Sequence, residues 1–115
     1  MNDRELLELA AKAAGYKATD IFCGHFVVQR QDDGVFEDWN PMEDDGDALR
    51  LAVVLGLDIL RKDSDVVAAV GLPPYSSERN APRAFGIQKL GSDPYAATRR
   101  AIVRAAAEIG KGMES

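Results

Sequence analysis

Apolar residues near the start of the chain recur at helical spacing. Leu6, Leu9, Ala10 and Ala13 line one side, Leu7 and Ala14 flank it, and Arg4, Glu5, Glu8 and Lys12 fall mostly elsewhere. The pattern predicts a helix over about Asp3–Ala14. Asn2 is placed to cap it, Glu5 stands where a capping-box partner belongs, and Gly15 is placed to stop it. From 21 to 30 the pattern changes. Ile21, Phe22, Phe26, Val27 and Val28 favour strand, and Gly24 marks a bend or bulge. Asp32-Asp33-Gly34 reads as a tight turn, with Val35 and Phe36 opening a return strand, so a hairpin is expected over about 25–39.

Trp39-Asn40-Pro41 breaks this pattern. A second helix is expected over about Asp45–Leu55, with Asp44 as cap and Asp45 and Asp47 in the first turn, where the helix dipole favours carboxylates. Its body runs Ala48, Leu49, Leu51, Ala52, Val53, Val54, Leu55, with Arg50 the one solvent marker, which predicts the most buried of the helices. Gly56 ends it. Strands are expected at 57–60 and 66–72, a loop rich in proline and serine at 73–82, and a further strand at 83–90. The last helix has the clearest start, Asp93 capping and Pro94 at its first position. Tyr95, Thr98, Ile102, Ala105 and Ile109 are expected to face the sheet, and the helix to fade at Gly110 and Gly112.

The order α-β-β-α-β-β-β-α, with short turns between neighbouring strands, predicts an α+β protein (α/β in the broad sense): a small, mostly antiparallel sheet packed by three helices. At 115 residues the chain has room for one domain, 1–115. Three helices are too many for one face of so small a sheet, so they lie on both faces, or one completes a dimer.

Composition narrows the function. An apolar fraction of 46% and a charged fraction of 29% are those of an ordinary globular protein. One cysteine, Cys23, cannot form an intrachain disulfide and suits a reducing compartment. No signal-type or membrane-length apolar run is present, so a cytoplasmic location and no membrane partner are expected. The net charge of −5 argues against nonspecific nucleic-acid binding. That charge is unevenly laid out. Asp32, Asp33, Glu37, Asp38, Glu43, Asp44, Asp45 and Asp47 follow one another with no base between. Arg79, Arg83, Lys89, Arg99, Arg100, Arg104 and Lys111 dominate the last third. The expectation is a molecule with two poles.

Candidate chemistry is thin. The run 43–47 could hold a hard cation, but it lacks the calcium-loop spacing and reads better as a helix start. Cys23 and His25 would share a strand face, yet no third group orients them as a nucleophile pair and zinc would need more ligands. No phosphate-binding glycine fingerprint occurs. No catalytic residue, metal or cofactor is therefore assigned, and the chain is read as not an enzyme. The arginines of the last helix could grip phosphate or an acidic partner, with a solvated face as the favoured alternative. Trp39 is expected in the core.

Three stretches, 1–15 (MNDRELLELAAKAAG), 39–55 (WNPMEDDGDALRLAVVL) and 95–110 (YAATRRAIVRAAAEIG), together resemble the phage ABA-sandwich domain family, small proteins of tailed phages and prophages of Gram-negative bacteria. The resemblance covers all three helices and leaves 17–38 and 72–82 without a counterpart. It implies an α-β-α sandwich and a phage origin, and it implies no reaction. Its motif residues, here Trp39, Asn40, Pro41, Asp44, Asp45, Gly46 and Asp47, are read as structural.

The leading functional expectation is a phage or prophage accessory protein that binds a host or phage macromolecule, as an inhibitor of a host defence or a regulator of host machinery. It would use an acidic face, Asp32, Asp33, Glu37 and Asp38, with Arg99, Arg100 and Arg104 forming the opposite pole. The alternatives are a self-assembling homo-oligomer, and metal or small-molecule binding at 43–47.

Overall fold

The computed structural model describes residues 2–70 and 85–113. Helix α1 spans Asp3–Ala14. Its cap is as expected: Asn2 Oδ1 accepts from Glu5 N at 2.8 Å, and Gly15 closes the helix in the left-handed conformation. Helix α2 spans Asp45–Leu55, where Asp44 Oδ2 accepts from Asp47 N at 2.7 Å. Helix α3 runs Pro94–Gly112, and Asp93 Oδ1 accepts from both Tyr95 N and Ala96 N at 3.1 Å. These boundaries follow from side chains satisfying the orphan amides of a first turn, which leaves a clear mark in sequence.

The strands form two antiparallel sheets of three. The first has the order β1 (Ala18–Phe22), β2 (His25–Gln29), β3 (Phe36–Asp38), and the second β4 (Asp58–Arg61), β5 (Asp65–Ala69), β6 (Phe85–Lys89). The α+β class and the antiparallel pairing are as expected, with the strands divided between two sheets instead of joined in one. The segment 21–30 is not a single strand. Cys23 and Gly24 both have positive φ, 51° and 80°, and form a two-residue turn between β1 and β2. A turn with positive φ at both centres matches the twist of a hairpin. A cysteine is uncommon there, which hid the turn. The expected 25–39 hairpin exists as β2–β3, with Gly34 N donating to Arg30 O at 3.1 Å. The expected loop 73–82 lies outside the described residues, as do Arg79 and Arg83 and the start expected for the last strand.

Helix α3 is the centre of the molecule. It packs against α1, α2, β5 and β6, burying Ala97, Ala101, Ile102, Val103, Ala105, Ala106, Ala107 and Gly110. Small residues let these four elements approach at once. At Gly86 a Cβ would strike the Ala101 carbonyl oxygen, Arg104 Cβ at 2.8 Å and Ala105 N at 2.9 Å; at Gly110 it would strike the carbonyl of Leu9 in α1. Gly110 is thus a crossing point inside the helix and not its end. Tyr95, expected to face the sheet, is 72% exposed although Ile102 on the same side is buried: the body of the helix is enclosed, and Pro94 and Tyr95 at its start are not.

One apolar cluster joins Leu6, Leu7, Ala10 and Ala11 of α1, Phe26 and Val28 of β2, Trp39, Ala48, Leu51 and Ala52 of α2, Val66 and Ala68 of β5, and α3. The expectation that α2 is the most buried helix is overturned. It packs against α3 and, more lightly, α1, but meets no strand closely. Leu49, Val53 and Val54 are left 62%, 71% and 65% exposed.

Candidate functional site

The segment from Trp39 into α2 ties itself together. Trp39 is buried between Tyr16, with ring centroids 5.4 Å apart at a steep angle, and Phe26 at 6.2 Å. Asn40 Oδ1 accepts from Met42 N at 3.0 Å, and its carbonyl accepts from Glu43 N and Asp44 N. Pro41 is fully buried. Asp47 reaches back to accept from Asn40 N at 3.0 Å and takes Arg50 at 2.6 Å. Asp44 caps α2, and Asp45 pairs with Arg99 at 2.6 Å. Gly46 lies against Asp44 Oδ2 and the Arg50 guanidinium, where a Cβ would come within 3.2 Å of each. Each of Asp44, Asp45 and Asp47 therefore has a partner inside the fold. Among the described residues no three of His, Cys, Asp and Glu converge as a cation site. His25, Asp38, Glu43 and Asp44 stand around an open hollow of about 420 Å³. Cys23 sits exposed in its turn, so it does not share a strand face with His25.

The acids of the 32–38 region are not all free. Arg30 pairs with Asp33 at 2.7 Å and approaches Glu37 at 3.7 Å. Val35 N donates to Asp33 at 3.0 Å, and this bond, with Arg30 beside it, holds the Asp33 carboxyl below the usual carboxylate range. Asp32 accepts from Asp33 N, and Asp38 makes no side-chain hydrogen bond or ion pair among the described residues. Burial, joined by the charges of Glu37 and Asp47, pushes the Tyr16 phenol above its ordinary value.

The arginines of α3 work inside the fold. Arg99, largely covered, donates to Met42 O at 2.9 Å as well as to Asp45, stapling α3 to the start of α2. Arg100 pairs with Asp3 of α1 at 3.0 Å, and Arg104 donates to Gln88 Oε1 of β6 at 3.3 Å. The two runs of opposite charge are thus partly interleaved in space, through Arg99–Asp45 above all. The expected two poles give way to a surface on which many charges already have partners.

Two features escaped sequence reasoning. One is the exposed apolar side of α2. Its signal lay in position and not in residue type, since Ala48, Leu51 and Ala52 at helical spacing are buried while the equally apolar Leu49, Val53 and Val54 are not. The other is the outer face of the first sheet, where Phe22, Val27 and Phe36 share a cleft with Asp20, Glu37 and Asp38. It became visible only once the Cys23-Gly24 turn fixed the register.

Fold and surface together define a small α+β protein in which, among the described residues, Asp44, Asp45, Asp47, Arg99, Arg100 and Arg104 are engaged in its own structure, while Cys23 and Asp38 are not. No family model matches the chain, and no curated protein matches it significantly. No helix among the described residues is long and apolar enough to cross a membrane.

Proposed function

We propose that this chain is a phage or prophage accessory protein of the bacterial cytoplasm that acts by binding and not by catalysis, and that its principal contact is self-association through α2. The phage origin rests on the three stretches that resemble the ABA-sandwich family. The observation that carries self-association is the side of α2 formed by Leu49, Val53 and Val54, each more than three-fifths exposed. Single exposed apolar residues are ordinary; here three stand on the uncovered side of one short helix, with the exposed Arg50 among them, and a second copy would cover them. Two copies of such a face, packed helix on helix across a two-fold axis, would bury it.

Sedimentation velocity at micromolar concentration tests the reading. A dimer is expected for the parent chain and a monomer for Val53→Glu or Leu49→Lys. Because these sites are exposed, the substitutions should move monomer stability by no more than about 0.5 kcal/mol. A parent chain that sediments as a monomer overturns self-association.

The acidic-face reading, inhibition or regulation of host machinery through Asp32, Asp33, Glu37 and Asp38, has narrower support. Arg30 already engages Asp33 and Glu37, which leaves Asp32 and Asp38 as the carboxylates of that set without an ion pair among the described residues.

A further inference from the structure

We propose that the outer face of the first sheet is a binding site for a basic amphipathic helix presented by a protein partner, independently of any pairing through α2. In the β1–β2–β3 register, Asp20 stands opposite Val27, and Val27 opposite Asp38. Alternation along each strand puts Phe22 and Phe36 on this same side, diagonal to Val27. The result is an open cleft of about 450 Å³ with Phe22, Val27 and Phe36 along it and carboxylates beside them. Phe22 is 70% exposed and Phe36 49%, while Val27 between them is only 7% exposed and lies outside the main core cluster.

Charge selects the occupant. Of the six residues lining the cleft, three are apolar and three acidic; Glu37 already has Arg30 at 3.7 Å and alternates to the other side of the strand, which leaves Asp20 and Asp38 as the open carboxylates. Asp20 accepts only from the adjacent Ile21 N, and Asp38 has no side-chain partner among the described residues. Neutral apolar segments would leave these carboxylates partly desolvated and unpaired, and acidic ones would be repelled. A segment carrying arginine or lysine around an apolar side chain satisfies both halves, with the phenyl faces available to the cation.

Spacing selects the helix. Asp20 and Asp38 are two strand spacings apart, roughly 10 Å. Helical residues i and i+7 rise about 10.5 Å on one face, with i+3 or i+4 between them over Val27. Same-face residues of an extended chain fall at roughly 7 or 14 Å and miss that interval. The chain's own α3 has Arg104 and Lys111 seven apart, but Glu108 stands between them, so a second copy fits poorly.

The test uses the full chain and a fluorescein-labelled, alanine-rich peptide of about 18 residues, long enough to hold a helix. It carries arginines at i and i+7 flanking a leucine, and binding is read by anisotropy. Weakening of about tenfold is expected for Asp20→Asn with Asp38→Asn, for Phe22→Ser with Phe36→Ser, and for a peptide whose arginines are glutamates. Val53→Glu should bind like the parent. Circular dichroism of each variant identifies any that fails to fold, and the exposed Asp→Asn pair remains decisive if the Phe pair does. Equal binding by the Asn variant, equal binding of the glutamate peptide, or no binding by the parent overturns the proposal. So does loss of self-association in the Asn variant, which would make the occupant a second copy.

Discussion

Trp39 and Tyr16 meet edge to face under the β2 strand, and that pair makes the start of α2 part of the core. Truncating Trp39→Ala removes a large buried side chain at a point where Phe26 also rests, and should cost about 3–5 kcal/mol, read by chemical denaturation. Tyr16 supplies a pH signature. Its phenol ionises later in the folded chain than in the unfolded one, where it titrates near pH ~10. Stability is therefore fully present below about pH 10 and declines as pH rises through the folded value. Tyr16→Phe should flatten that alkaline decline in denaturation curves; an unchanged slope would mean that other groups cause it. These roles were half legible. An only tryptophan beside Asn-Pro pointed to the core, but nothing near Tyr16 in sequence announced Trp39 as its neighbour.

Helices were easier to read than strands, because caps are local. Asn2, Asp44 and Asp93 each bond to amides within three residues, so their positions alone fix where α1, α2 and α3 begin. Strand pairing depends on turns, and one carried by Cys23-Gly24 resembles no common signal. Helix faces were harder again. The apolar content of α2 said nothing about which side has a neighbour, and the glycines of α3 looked like an ending while one of them is a crossing. Gly110→Ala and Gly86→Ala should each destabilise by about 1–3 kcal/mol, because a Cβ meets backbone at both. Gly112→Ala, with open space around it, should be neutral or slightly stabilising. Thermal melts of the three variants separate close packing from helix propensity.

Charge at the scale of the whole molecule behaves differently from charge along the chain. The acidic run and the basic helix looked like opposite ends, yet Arg99 and Asp45, remote in sequence, meet in space. Such long-range pairing cannot be read without the packing of α2 on α3. An α2 pairing, as proposed, would rest on apolar contact, so charge screening by salt should change it little. If α2 pairs two copies, the melting temperature should rise with protein concentration in the parent and stay constant in Val53→Glu. A concentration-independent melt in both would sink the α2 interface while leaving the sheet-face site standing.

The hairpin turn between the first two strands has a practical consequence. The solitary thiol there is solvent-facing and adjacent in sequence to a phenyl ring of the carboxylate-lined cleft. An environment-sensitive dye coupled to it would report occupancy of that cleft from a native position, with no engineered attachment point and no competing sulfhydryl elsewhere in the chain.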